Sequence, residues 1–233
     1  MKKYFLVIAS VIMFAELLSV GYFLKNKGII LAESESKEEI KLPAIQTTGK
    51  LSVEQAIFKR RSVREYKDAP LSLEEVAQLL WSAQGITTKW GGRAVPSAGA
   101  LYPLEIYLVV GNVEKLTTGV YQYNPKRHSL IKIVDGDKRL ALSASSLFQT
   151  AVKNAPVSLV ICAQYERTKQ KYGERGERYV HIEAGHVGQN IYLQAESLGL
   201  ATVAVGAFVD EAVKKVLNIK EEPLYIMPVG KRK

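Results

Sequence analysis

The stretch "AIFKRRSVREY", Ala56 to Tyr66, sets Arg60, Arg61, Ser62 and Arg64 within five residues. Guanidinium groups this close repel one another unless water or an anion relieves them. One reading puts Arg60 and Arg61 in the last turn of a helix, where cations complement its dipole. That leaves Ser62 and Arg64 unexplained. In an extended segment alternate side chains share a face, so Arg60, Ser62 and Arg64 can converge while Arg61 points elsewhere. Two charged donors flanking a hydroxyl suit a phosphoryl group, which accepts several charge-assisted hydrogen bonds at once.

The elements that must hold these residues are legible on either side. "LSVEQAIFKR" reads as a helix with Ser52 as N-cap and Gln55 closing a capping box; Val53, Ala56 and Ile57 form its inner stripe. "LSLEEVAQLLWSAQG" repeats the pattern with Ser72, Glu75 and a terminating Gly85. A turn-rich loop feeds the strand "LEIYLVV", and "GVYQY" and "SLIKIV" make a hairpin about "NPKRH". "KRLALSASSLFQTAVKN" reads as one helix and "APVSLVICA" as a buried strand. "RYVHIEAGHVGQNIYLQAESLGL" is the longest helix. The strand "ATVAVGAF", the helix "DEAVKKVLNI" and the strand "PLYIMPVG" follow. Helices mixed with antiparallel hairpins predict an α+β domain.

At this point the chain resembles a known family. Arg60-Arg61-Ser62-Val63-Arg64 is similar to the FMN-binding opening of the nitroreductase family. "VPSAGALYPLEIYLVV" resembles that family's second flavin-contacting loop, and "GLATVAVGAF" its late strand facing the flavin; the likeness runs from about Leu51 to the C-terminus. The resemblance implies a nitroreductase-like fold, a central mainly antiparallel sheet flanked by helices, in an intertwined homodimer with FMN at the interface. It assigns Arg60, Ser62 and Arg64, with Arg61 least secure, to the phosphate and ribityl end. Pro96, Ser97, Ala98, Gly99 and Leu101 would form a small-residue loop that lets backbone approach a flat ring. Val205, Gly206 and Ala207 would offer backbone amides to its reactive edge, although the family often carries a second glycine where Ala207 stands. The resemblance also directs Lys231 and Arg232 in the tail "GKRK" towards the phosphate; a frayed basic terminus is the other reading.

Ala100 stands where many nitroreductases carry an asparagine, so its side chain cannot hydrogen-bond a flavin. "PSAGALYP", "GVYQYNPKRHSL" and "KYGERGERYVHIEAGHVGQNIYLQAESLGL" instead resemble the SagB-type dehydrogenases, which oxidise peptide thiazolines and oxazolines. Lys171-Tyr172 matches a pair implicated in that branch's catalysis. Azoline oxidation removes a carbon-bound proton as hydride passes to flavin N5, so a base is needed. Lys171 can serve if a neighbouring cation such as Arg167, Arg175 or Arg178, or desolvation, lowers its pKa, with Tyr172 relaying the proton or orienting the ring. A solvated Lys-rich loop is the plain alternative. Two other functions stay open: an NAD(P)H-dependent nitro- or quinone-reductase, and a non-catalytic flavin-fold protein that docks a partner.

The chain has 233 residues, enough for one full domain with an appendage. Residues 1–31 carry the apolar run Tyr4 to Leu24, interrupted by Glu16; as a helix it spans roughly 30 Å, the hydrocarbon thickness of a bilayer. A single N-terminal membrane helix is expected, with a cleaved signal peptide as the alternative and the catalytic domain outside the cytoplasm. Residues 32–50 read as a polar linker and residues 51–233 as the FMN-binding domain. A net charge of +9 is open to nucleic acid, anionic lipid or an anionic ligand; no dense basic block interleaved with aromatics argues for nucleic acid. Cys162, the sole cysteine, reads as core. His181 and His186 are five apart rather than four, so no metal is expected; Gly185 and Gly188 read instead as a close-packing face of the long helix.

Overall fold

Apolar residues at every second position organise the centre of the molecule, as the pleat of a strand requires. The computed structural model describes residues 39–233. Its strands are β1 (Glu39–Lys41), β2 (Leu104–Val110), β3 (Gly119–Asn124), β4 (Ser129–Asp135), β5 (Val157–Ala163), β6 (Leu200–Thr202) and β7 (Glu222–Lys231). They form one sheet in the order β1-β4-β3-β2-β5-β7-β6, with every neighbouring pair antiparallel. The described helices are α1 (Val53–Lys59), α2 (Leu73–Gln84), α3 (Arg139–Ser145), α4 (Thr150–Asn154), α5 (Glu166–Tyr172), α6 (Arg175–Ser197) and α7 (Asp210–Leu217). This is the expected α+β architecture.

Leu104, Ile106, Leu108 and Val110 of β2 face Val76, Leu79 and Leu80 of α2 and Val180, Val187 and Ile191 of α6. Tyr107 and Val109 face the opposite way, towards Leu142 of α3, Val152 of α4 and Val213 of α7. Strand β5 is buried along its whole length, Cys162 included, because helices cover both its faces. Ser52 and Ser72 close the capping boxes expected of them, each contributing about 1 kcal/mol to starting its helix.

Several local expectations are corrected. In α1 only Ala56 is buried, whereas Val53, Ile57 and Phe58 are 64%, 56% and 78% exposed, so the stripe does not face this chain's core. The single helix expected over Lys138 to Asn154 is broken between α3 and α4. Leu147 (φ +56°) and Phe148 (φ +58°) turn left-handed there. The cause is serine chemistry: Ser146 Oγ donates to Leu142 O at 2.9 Å and Ser143 Oγ to Gln149 O at 3.0 Å, competing with helix continuation. Among the described residues of this chain nothing packs closely on the glycines expected to allow close packing of the long helix, within the chain or across a dimer: a Cβ at Gly188 would sit 3.8 Å from Met227 Sδ and one at Gly185 would meet open space.

The polar segment before Leu51 also departs from expectation. Ile40 and Leu42 alternate, β1 pairs with β4, and Leu42 N–H donates to His128 O at 3.0 Å. Gln46 N–H donates to Gln78 Oε1 and Gln78 Nε2 to Gln46 O, both at 2.9 Å. The stretch from Glu39 to Gln46 is therefore docked rather than free. The apolar run Tyr4 to Leu24 lies outside the described residues. Among those described, no helix is long and apolar enough to cross a membrane. That removes the structural basis for the expected membrane-anchored, extracytoplasmic placement.

His128 pins this docked segment. Its Nε2 lies 3.0 Å from Pro43 O, which can only accept, so Nε2 carries the proton; Nδ1 then accepts from the Tyr123 hydroxyl at 2.9 Å. The ring is neutral, and burial lowers its pKa from the ordinary 6.5. A lowered folded-state pKa contributes stability that is complete above 6.5 and is lost as pH falls through the lowered value. We expect the His128 ring to titrate below 6.5 by NMR, and amide exchange of Leu42 and Gln46, corrected for intrinsic rates, to rise at acid pH. A midpoint at or above 6.5 would contradict this arrangement.

Candidate flavin-nucleotide site

Helix α1 ends at Lys59, and Arg60 caps it with φ −51° and ψ 123°, turning the chain into an extended run. Val63 N–H donates to Thr202 O at 2.9 Å, fastening that run to β6. The Tyr66 phenol donates to Val63 O and Pro228 O, each at 3.2 Å, fastening it to β7. Burial pushes the Tyr66 pKa well up, so this donor stays protonated. Just before the first fastening, Ser62 Oγ lies 3.0 Å from Tyr192 Oη on α6, and the Arg60 guanidinium sits 5.0 Å from the centre of the same ring. Ser62 and Arg64 are exposed and Arg60 is half-buried. Arg61 is turned away: its Nη1 donates to Phe58 O at 3.0 Å and Arg60 O at 2.7 Å, closing the helix end.

Tyr192 joins this group to the late strand. Its Oη accepts from Ala204 N–H at 2.7 Å. That bond interrupts the strand expected over Ala201 to Phe208: β6 stops at Thr202, and Val205 makes only an isolated bridge with Ile226. Beyond it Gly206 and Ala207 are exposed, with Gln149 Nε2 donating to Ala207 O at 3.3 Å. The tail is ordered rather than frayed. Lys231 pairs with Glu75, and Arg232 Nη2 donates to the buried Glu196 at 2.5 Å. Both tail cations are thus engaged by carboxylates.

The small-residue loop belongs to a second group. Gly99 (φ +61°), Ala100 (φ +55°) and Tyr102 (φ +48°) all adopt the left-handed region, which costs a residue with a Cβ on the order of 1 kcal/mol. Lys171 and Tyr172, at the end of α5, close over Gly99: a Cβ there would lie 2.8 Å from Tyr172 Oη and 2.9 Å from Lys171 Nζ. Lys171 is exposed, its ammonium 5.4 Å from the centre of the Tyr172 ring. Arg167, expected as a cationic neighbour of Lys171, instead donates to Tyr102 O at 2.5 Å and pairs with Glu105 at 2.8 Å.

A buried polar network supports the loop and was not anticipated from sequence. Ser97 Oγ accepts from Tyr102 N–H at 2.9 Å and donates to Glu183 on α6. Gln84 Nε2 also donates to Glu183, at 3.3 Å, while Arg93 donates to Gln84 Oε1 at 2.8 Å. Burial raises the Glu183 pKa against these donors. The only signal for Glu183 was its position on the inner stripe, beside Val180, Ala184 and Val187, where a carboxylate is out of place.

A cleft of about 1410 Å³ opens beside residues 46–59, α2 and α6. Its wall includes Lys59, Arg93 and Arg232 but not Arg60, Ser62, Gly99 or Gly206. The residues present fit a flavin nucleotide at its two ends. Arg60, Ser62 and Arg64 offer donors for a phosphoryl group, and Gly206 and Ala207 present exposed backbone that a flat ring could approach.

A family model described as the nitroreductase family matches residues 57–231. The chain is 50% identical over 194 residues to MJ1384 of Methanocaldococcus jannaschii, whose own nitroreductase designation is provisional; the match covers 83% of this chain and 96% of that protein. It is 31% identical over 146 residues to the microcin B17-processing protein McbC of Escherichia coli, covering 59% of this chain and 54% of that longer protein. Among solved structures, a chain of the E. coli microcin synthetase McbBCD complex with truncated pro-MccB17 bound superposes with a TM-score of 0.64 at 27% identity, covering 88% of this chain and 83% of that one. The match from Ile57 to Lys231 takes in the arginine run, the small-residue loop and the late strand alike, and the chain belongs to the nitroreductase family of oxidoreductases.

Proposed function

We propose that this chain is an FMN-dependent oxidoreductase of the SagB-type branch, passing hydride between a substrate and flavin N5. The observation that carries this reading is Arg60 and Ser62 gathered on Tyr192, next to the exposed backbone of Gly206 and Ala207. Arg60, Ser62 and Arg64 would hold the phosphate, the loop Pro96 to Leu101 the ring face, and Val205 to Ala207 its reactive edge. Lys231 and Arg232, already paired with Glu75 and Glu196, would add charge near the phosphate rather than direct bonds. Bound FMN would supply the hydride acceptor. The purified protein is expected to be yellow. Arg60→Ala or Arg64→Ala should each weaken FMN binding about tenfold or more, the worth of a hydrogen bond to a charged group. A colourless wild type that ignores added FMN would defeat the reading.

The substrate proposed is a peptide thiazoline or oxazoline, supported by the Lys171-Tyr172 pair closing over Gly99. Lys171 would take the carbon-bound proton at its Nζ, and Tyr172 would orient the substrate ring. The second reading, an NAD(P)H-dependent nitro- or quinone-reductase, needs no base at Lys171. The exposure of that side chain favours it. Under anaerobic conditions an azoline peptide is expected to bleach the flavin in wild type, and Lys171→Ala to slow this at least about a hundredfold, within the usual range for loss of a general base. Reduction by NADPH alone, or wild-type azoline rates in Lys171→Ala, would favour the second reading.

A homodimer is part of the same proposal. The exposed apolar side chains Val53, Ile57 and Phe58 on α1 adjoin the cleft that residues 46–59 line, and a second copy would cover them. Sedimentation should give twice the chain's mass, and Phe58→Glu should yield a folded monomer that retains less FMN. A wild-type monomer with full flavin content would contradict the dimer.

A further inference from the structure

We propose that Tyr192 is a positioning residue that makes the Ser62 hydroxyl a committed donor to the phosphoryl group. This rests on the flavin-nucleotide reading above. Hydrogen-bond direction fixes which oxygen gives the proton. Ala204 N–H can only donate, so at 2.7 Å it occupies the Tyr192 oxygen as acceptor. A phenol oxygen, its lone pair shared with the ring, is a poorer second acceptor than an alkyl hydroxyl. The Tyr192 proton therefore points along the 3.0 Å contact to Ser62 Oγ. With Oγ accepting from Tyr192, the serine proton is directed outwards. A phosphoryl oxygen, which only accepts, completes a chain running amide to phenol to hydroxyl to anion, each bond polarising the next.

The backbone explains why the chain starts where it does. The β6–β7 ladder ends at the Thr202–Val229 pair, and pairing resumes once, at Val205 with Ile226. Ala204 falls between, and its amide turns to Tyr192. The same ring carries Arg60 on its face at 5.0 Å. One side chain thus sets both the charge and the proton direction at this end of the site.

The test separates phosphate recognition from everything else by comparing FMN with riboflavin, which lacks the phosphate. Tyr192→Phe keeps the ring under Arg60 and removes the relay. FMN affinity, read by quenching of flavin fluorescence, should fall about three- to tenfold more than riboflavin affinity, the worth of one net hydrogen bond. Ser62→Ala should lose at least as much for FMN alone, and the double variant no more than Ser62→Ala, because the two act as one unit. Equal losses for FMN and riboflavin, or additive losses in the double variant, would overturn the inference while leaving the flavin site standing. If Tyr192→Phe fails to fold, Ser62→Ala still decides: an unchanged preference for FMN over riboflavin overturns it. A wild type with no preference for FMN overturns both this inference and the reading beneath it.

Discussion

The amide of Ala204 has no strand partner, and the bond it makes instead, 2.7 Å to Tyr192 Oη, governs the geometry of the arginine run. An N–H without an acceptor costs more the less water can reach it, so this half-buried amide helps hold the tyrosine in its place. Because Tyr192 is held, Ser62 and Arg60 have a fixed platform between α6 and the sheet. Like-charged guanidiniums do not gather unaided. Here Arg61 is diverted to helix carbonyls, Arg60 rests on an aromatic face, and Arg64 remains in solvent. Repulsion is distributed before any ligand enters.

The second group is organised by a different force. Left-handed conformations at Ala100 and Tyr102 do not persist on their own. They are imposed by Ser97, which holds Tyr102 N–H, and by Arg167, which holds Tyr102 O. Glu183 sits beneath, with donors from Ser97 and Gln84 offsetting its burial. Charge in the interior is tolerable only with such partners, and here the partners also define the shape of the loop. Ala100, unable to bond a flavin through its side chain, contributes its backbone conformation instead.

Periodicity and capping chemistry made most of the fold legible before any coordinates. Both capping boxes, the strand "LEIYLVV" and the hairpin about "NPKRH" stand as read. Three kinds of information were not local. The break between α3 and α4 depends on serine hydroxyls choosing carbonyl partners, which periodicity does not register. The shortness of β6 depends on a tyrosine twelve residues before Ala204. The exposure of Ile57 and Phe58 reflects an apolar face that the described residues do not cover. At the site, the arginine pattern was visible because its residues are sequence neighbours. Tyr192 and Glu183 were not, because each meets its partners only after α6 has packed against the sheet.

The three-residue strand β1 has a role in solubility as well as in architecture. An open sheet ends in unpaired amides and carbonyls, a template on which another chain can crystallise into aggregate. On one side that rim would be the seven-residue β4, with Ile131 and Ile133 along it. β1 covers part of it with a brief, charged segment whose Glu39 bonds Ser129 and Arg127. Short, with a charged side chain at either end, β1 is itself a poor template. A chain trimmed to begin at Leu51 would keep every residue of the proposed site yet bare the β4 rim.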